Sequence, residues 1–583
     1  MRVRGPGLVP LVACIVLLAA CQSDKPVAPP PTNSGTPCGA AGTTQLGVLE
    51  RATIACTAGT TVTLQGGGAS YLIVPQFATG NAVNRAVSYT IGIVGGASAA
   101  LVPAAGPSLN VAPQFPGPAI PPGITRRTRQ LAFDARLMEE AREKVRSGAW
   151  RPSARRVAPG AAVARVTVPA VESVRKFHVL SSETPVQFTA VGARLSYVGT
   201  NILLYVDTLA PANGFTSDQL NAFGLLFDQT LYPIDFDAFG SPSDIDQNGH
   251  LIVLLSPIVN ALTPTSSCAT QGFVGGFFEG FDLASTDTSS NQGEIFYSLV
   301  PDPSATVSCA HTVADLLGET PATFLHELQH LIDFSQHVVA HGGQPEIGWL
   351  DEGMSIVAEE LGSLYYENKF PPPLGRTSPA QLFPDSSQGF VSGLLFDSYS
   401  YLLETDTATV TLHSDADGGL AWRGGDWLLA RWLGDVKGIG IYKSLIESNL
   451  TGTANIANAA GEPFDALFGD FSLALYTDSL PGTPKSAIPL RNRFAVRNLR
   501  RMYQRLFDTS GGSSFFPRPF PIITVPLAGS ISASMVPGTM SFYRLDTASG
   551  SSTVTIDFGS TPGVALTDAL HPQLSIFRIP PGS

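Results

Sequence analysis

The apolar positions change rhythm several times along the chain. Leu8 to Leu18 form one apolar run behind Arg2 and Arg4 and ahead of Ala19-Ala20, the plan of an export signal over residues 1–20. Between Cys38 and Val111, short Thr/Val/Ile/Leu runs alternate with Gly-Gly, Asn-Ala and Pro breaks, which predicts a small β domain over 38–115. Arg126 to Arg156 switches to helical spacing, with Leu131, Met138, Ala141 and Val145 near one face. From Phe177 to Phe507 the two rhythms mix. Ile202–Val206, Leu251–Leu255 and Ile295–Leu299 read as apolar strands among longer helical stretches, an α+β domain over 176–507. After Arg505 the text turns Pro-rich and then gives Ile523–Ile531, Ser541–Leu545 and Thr553–Phe558, short strands of a β-sandwich-like domain over 508–583. No closing element is evident at Pro580–Ser583. The expected fold class is therefore multidomain, with an α+β domain flanked by small all-β modules.

Composition narrows the function. The length of 583 residues suits several domains, and only the N-terminal run approaches membrane dimensions, which excludes a polytopic membrane protein. A net charge of −12 argues against a nucleic-acid partner. The exception to this acidity is Arg126–Arg156, where ten Lys/Arg face four Asp/Glu. Residues 116–175 thus read as a linker carrying a basic amphipathic helix. A solvated connector is one reading, and a pro-segment or protease-sensitive junction is the sharper one.

Leu18-Ala19-Ala20-Cys21 resembles a bacterial lipobox, which implies cleavage before Cys21 and a lipid on its sulfur. Residues 21–37 then form a Pro/Ser/Thr tether between that lipid anchor and the folded part. Gln22, standing where Asp would favour retention at the inner membrane, points to the outer membrane of the cell envelope. Cys38, Cys56, Cys268 and Cys309 remain as an even set. Their separations favour Cys38–Cys56 and Cys268–Cys309, in keeping with an oxidising compartment.

Chemistry concentrates at His326-Glu327-Leu328-Gln329-His330, flanked by Phe324, Leu325, Leu331 and Ile332, with Pro321 near the expected start of the helix. Two histidines four apart on a helix stand one turn above each other, so their nitrogens can reach one zinc ion. Glu327 projects beside the open position, where a carboxylate can take a proton from the attacking water. A third ligand is available in Trp349-Leu350-Asp351-Glu352-Gly353, which opens a second helix. Glu352 and Glu359 share a face there, so one can bind the metal and the other can hold a ligand histidine. Glu346, between Pro345 and Gly348, suits a loop better than a ligand. Asp244, Asp246 and Asn248, with Gly249 sixth in the run, copy the start of a calcium loop, although Leu255 stands where its twelfth-position Glu belongs.

The HExxH helix followed by Trp349-Leu350-x-Glu352-Gly353 resembles the gluzincin metallopeptidases, most closely the hyicolysin-type neutral zinc metallopeptidases of bacteria. The likeness extends more loosely from Tyr197 to Tyr476. It implies a zincin-like domain, zinc on His326, His330 and Glu352, Glu327 as general base and Glu359 beside a ligand histidine. It also implies hydrolysis of peptide bonds in proteins, as an endopeptidase, since no exopeptidase motif accompanies the pair. An oxyanion donor is expected downstream of Glu352, from Tyr399, Tyr401, His413 or Arg423, with Tyr401 preferred. Gly293–Tyr297 resembles the edge strand on which such enzymes lay an extended peptide, and reads equally as an interior strand. Two other classes stay open: an inactive surface binding or adhesion lipoprotein built on a peptidase-like domain, and a zinc hydrolase of non-peptide amides.

Overall fold

A computed structural model describes residues 37–40, 42–80, 83–94, 128–150, 168–285, 287–369, 388–412, 419–512, 515–581 and 583. The export signal, Cys21, nearly all of the tether and His413 lie outside the described residues.

The site is built on a six-stranded sheet in the order Gly276–Phe278, Ile295–Ser298, Leu251–Leu255, Ile202–Asp207, Val186–Val198, Val174–Glu183. Its three middle strands run parallel and the flanking pairs antiparallel. Leu251–Leu255 is buried at every position, so it reads as an unbroken apolar run where a half-exposed strand would alternate. Its pleat divides two cores. Leu251, Val253 and Leu255, with Ile202, Leu204 and Phe296, face Phe324, Leu325, Leu328 and Leu331 of the helix Val313–Phe334. Ile252 and Leu254, with Leu203, Tyr205, Ile295 and Tyr297, face the other way. Ile295–Ser298 therefore has a strand on each side, which selects the interior of the two readings of Gly293–Tyr297, and Gly276–Phe278 is the edge strand at this end of the sheet.

The helix Val313–Phe334, called here the histidine helix, starts earlier than its sequence suggests. Thr312 caps it, accepting from Asp315 N at 3.1 Å while Asp315 Oδ2 accepts from Thr312 N at 2.8 Å. Pro321 thus lies inside the helix and not at its start. Lacking an N–H, it leaves one rung of the ladder unmade, next to the exposed Leu317. The glutamate helix, Gly348–Lys369, packs against it, and the helices Gln388–Leu403 and Leu420–Lys437 complete the layer. Both disulfides expected from sequence are present, Cys38–Cys56 and Cys268–Cys309. Among the described residues, no helix is long and apolar enough to cross a membrane.

The two β modules expected at the ends of the chain are one sandwich. Thr553–Gly559 pairs with both Thr61–Gln65 and Val87–Val94, while Pro572–Ile579 lies between Ser70–Phe77 and Arg51–Ala55. Each five-stranded sheet takes strands from both ends, and the inner faces share one core around Tyr71, Tyr89, Ile556 and Ile576. Neither segment alone supplies two complete layers, so each buries its apolar face only against the other. The sandwich joins the α+β part through the helix Phe464–Thr477, with Arg51 bonded to Asp470 at 2.7 Å and Ser472 to Gln76 at 3.2 Å.

Candidate metal centre

His326 and His330 project from the same face of the histidine helix, one turn apart, and their Nε2 atoms lie 3.1 Å from each other. Glu352 faces the pair from the glutamate helix, with Oε2 3.7 Å from His326 Nε2 and Oε1 3.6 Å from His330 Nε2. The other nitrogens face carboxylates: His326 Nδ1 is hydrogen-bonded to Glu359 Oε1 at 2.9 Å, and His330 Nδ1 lies 3.0 Å from Asp351 Oδ1. A ring whose Nδ1 faces a carboxylate carries its proton there, which leaves both Nε2 lone pairs aimed at one point. Two lone pairs and a carboxylate converging in a buried place repel one another unless a cation lies between them. The spacing suits zinc, because ligands at 2.0–2.1 Å in a tetrahedron stand about 3.3–3.4 Å apart.

The close approach of helices makes this possible. A methyl group at Gly353 would come within 2.8 Å of Asp426 O, so glycine lets the glutamate helix lie directly against Leu420–Lys437. That contact delivers Arg423, buried at 2% exposure, whose Nη1 donates to Glu352 Oε2 and whose Nη2 lies 3.8 Å from Glu359 Oε1. Burial would raise the Glu352 carboxyl, yet Arg423 and the two histidines hold it well below the usual range. His330 is pushed the opposite way: despite burial, Asp351 and Glu352 raise it well above an ordinary imidazole. Further along the same helix, Glu360 accepts from Trp427 Nε1 at 3.0 Å and Arg497 Nε at 2.6 Å, which fixes its rotation.

Glu327 lies on the sheet side. Its Oε2 accepts from Phe278 N of the edge strand at 3.0 Å, while its buried Oε1 has no hydrogen-bond partner among the described residues. Burial raises its proton affinity, with the two histidines opposing. A carboxylate held by one oxygen, with the other bare beside two imidazoles, is placed to accept and return a proton.

Not every expected residue arrives. Tyr401 is a core residue, which corrects its expected oxyanion role: it is fully buried, its hydroxyl meets Met540 Sδ at 3.8 Å, and burial pushes the phenol far up. Tyr399 is engaged with the backbone of Arg518, at 3.0 Å to its carbonyl and 2.9 Å from its N–H. Arg423 is spent on Glu352. Glu346 is a structural carboxylate, accepting from Ile347 N and Gly452 N at 2.6 Å each and from Asn455 Nδ2 at 2.8 Å. Asp351 and Arg423 are the partners that sequence reasoning missed in these roles. Asp351's position, one residue before Glu352, was the available signal.

At the calcium candidate, Asp244 and Asp246 are joined by Glu294 from the neighbouring strand end, their oxygens within 4.8 Å of one another. Asn248 is used locally instead, donating to Asp246 Oδ2 at 2.7 Å and accepting from His250 N.

No family model matches the chain. Among curated proteins it is similar to the neutral metalloprotease ShpI of Staphylococcus hyicus, 29% identical over 196 residues, which are 33% of this chain. The chain spans about 40% of that relative's length. The likeness supports a metallopeptidase family for the matched third of the chain.

Proposed function

We propose that the protein is an exported, lipid-anchored zinc endopeptidase acting on proteins or peptides. The observation that carries this reading is the convergence of His326 Nε2, His330 Nε2 and Glu352 beside a Glu327 whose second oxygen bonds the sheet edge. His326, His330 and Glu352 would hold the metal, which when bound polarises a carbonyl and makes water a nucleophile near neutral pH. Glu327 takes the proton of the attacking water on Oε1 and passes it to the leaving amine. Phe278 N keeps Glu327 from rotating away. Glu359 and Asp351 orient the two imidazoles, and Arg423 balances the charge of Glu352. The edge strand Gly276–Phe278 offers a peptide a row of backbone partners next to these groups.

The lipobox at Cys21 supports anchoring of this enzyme to the cell envelope, at the outer membrane where two membranes exist. Asp244, Asp246 and Glu294 form a second, oxygen-only group that suits calcium.

The test is metal content together with casein hydrolysis on the chain lacking its export signal, read both intact and after limited proteolysis with the added protease then inhibited. Glu327→Gln should keep about one zinc per chain and abolish cleavage, and His326→Ala should lose both. Hydrolysis surviving either substitution would sink the assignment. Protein that binds neither zinc nor cleaves casein would leave a binding or adhesion lipoprotein as the reading to pursue.

A further inference from the structure

The helix Thr128–Arg146 does not lie free as a connector. One of its faces presents Gln130, Asp134, Leu137 and Ala141 at helical spacing, and that stripe covers the candidate metal centre. Gln130 accepts from Gly275 N at 2.7 Å and donates to Gly276 O at 2.8 Å, using a backbone donor and acceptor at the start of the edge strand. Phe133 stacks edge-on against Phe277 of the same strand at 5.2 Å. Asp134, only 4% exposed, is turned to the buried side, beside the cavity it lines with Glu327 and His330. Its Oδ1 accepts from Gln130 Nε2 at 2.7 Å, and its buried Oδ2 has no hydrogen-bond partner among the described residues. Ligand atoms of Asp134, His326 and Glu327 lie within 4.8 Å of one another.

What remains beside Glu327 and His330, under Leu137 and Met138, is a cavity of about 40 Å³. That is room for about one water, whereas pockets that take even small ligands measure about 300 Å³ or more. Ion pairs and hydrogen bonds pin the helix on both sides of its aspartate, beginning with Arg129, which pairs with Glu183 and donates to Leu262 O at 3.0 Å. Arg136 reaches Glu183 O at 2.6 Å and Glu183 Oε2 at 3.1 Å, and Arg142 donates to Glu346 O. Beyond its C-terminus, Trp150 packs on Phe281 at 5.8 Å.

We propose that this helix is a built-in inhibitor of the site and that Asp134 is an additional metal ligand, occupying the position that the reacting water would need. The inference rests on the zinc-peptidase reading. Gln130 and Phe133 hold the strand where a substrate would pair, and Leu137 and Met138 fill the space its side chains would enter. Asp134 adds a carboxylate that competes with water at the metal and stands against Glu327. Release requires the helix to leave. Cleavage in the arginine-bearing sequences on either side, at Arg126 and Arg127 or at Arg151, Arg155 and Arg156, would free it from one or both of its covalent connections.

The test uses the full chain without its export signal, loaded with zinc or cobalt(II), as wild type, Asp134→Ala and the shape-preserving Asp134→Asn. Cobalt absorption, zinc loss to a chelator and peptide hydrolysis are read before and after limited trypsin cleavage. Both variants should alter the cobalt spectrum. They should also speed zinc loss at least about tenfold, the lower end of what even an outer partner of a ligand costs. Hydrolysis by intact variants, and by wild type once cut, should exceed that of intact wild type by a similar factor. Coincident cobalt spectra for all three proteins, or intact wild type as active as the cut chain, would overturn the proposal while leaving the peptidase reading standing. Shifted spectra with no hydrolysis in any form would uphold Asp134 as a ligand and overturn the peptidase reading. Failure to bind cobalt or zinc would overturn both.

Discussion

Glu279 joins the edge strand Gly276–Phe278 to the short helix Gly280–Ala284, and its carboxyl is pushed up to about 8 from an ordinary 4.5. Burial is the main cause, followed by Asp282 and by Glu140 of the covering helix, with Arg136 opposing. Below pH 4.5 both folded and unfolded chains hold the proton, and the group imposes no penalty. Between pH 4.5 and 8 the unfolded chain releases it and the folded chain keeps it, so stability falls as pH rises. Above pH 8 the full penalty is present. A shift from 4.5 to about 8, at ~1.4 kcal/mol per unit, amounts to ~5 kcal/mol for this one group. Glu279→Gln removes that dependence. The variant should match wild type near pH 4.5 and unfold at progressively higher temperature than wild type up to about pH 8.5, with metal content held constant. Hydrogen exchange should place the gain in Thr128–Arg146 and Gly276–Ala284. A midpoint difference that stays constant from pH 5 to 8.5 would refute the reasoning.

The remaining predictions concern the centre and its supports. Glu359→Gln keeps an acceptor for His326 but loses the charge, and should weaken zinc by about tenfold; Glu359→Ala loses both and should approach about 100-fold, by competition with a chromophoric chelator. Equal losses would mean that charge alone matters. Glu352→Ala should weaken zinc far more than either, and a smaller effect would exchange the assigned roles. Gly424→Ala places a methyl group 2.2 Å from Asp397 O and 2.5 Å from Ser398 N, backbone atoms that cannot yield separately. Its cost should exceed the ~1–3 kcal/mol usual for overpacking, seen as a lowered unfolding midpoint, and a normal midpoint would show that the helices part easily.

Residues related by helical spacing were legible in advance. His326, His330, Glu352 and Glu359 sit on two helices whose turns bring i, i+4 and i+7 to one face, and the structure brings those four together. Partners set by how helices cross were not. Arg423 was one of four candidate oxyanion donors, and it bonds Glu352 because Gly353 lets two helices touch, which no local pattern announces. Tyr401 illustrates the same limit, since a buried tyrosine and one lining a cleft look alike in sequence. The β character of both chain ends was legible, but the strands Ile531–Met535 and Pro572–Ile579 and the pairing between the two ends were not. Tyr89 bonds Tyr543 across the sandwich at 2.8 Å, and loop closure over such a distance leaves no trace in local composition. Asp134 escaped notice for a related reason: on a helix with many charges, nothing marks which one faces inward.

That long-range pairing has a consequence for how the protein is made. The strands Arg51–Ala55, Thr61–Gln65, Ser70–Phe77 and Val87–Val94 emerge first during synthesis but find their main partners only when Thr553–Gly559 and Pro572–Ile579 follow. Until then they expose open edges, and everything between Val94 and Val525 must be threaded before the sheets can close. The sandwich acts as a clasp fastened last. A chain lacking Thr553–Gly559 and Pro572–Ile579 would leave the earlier strands unpaired, with open edges that proteases and other chains can reach.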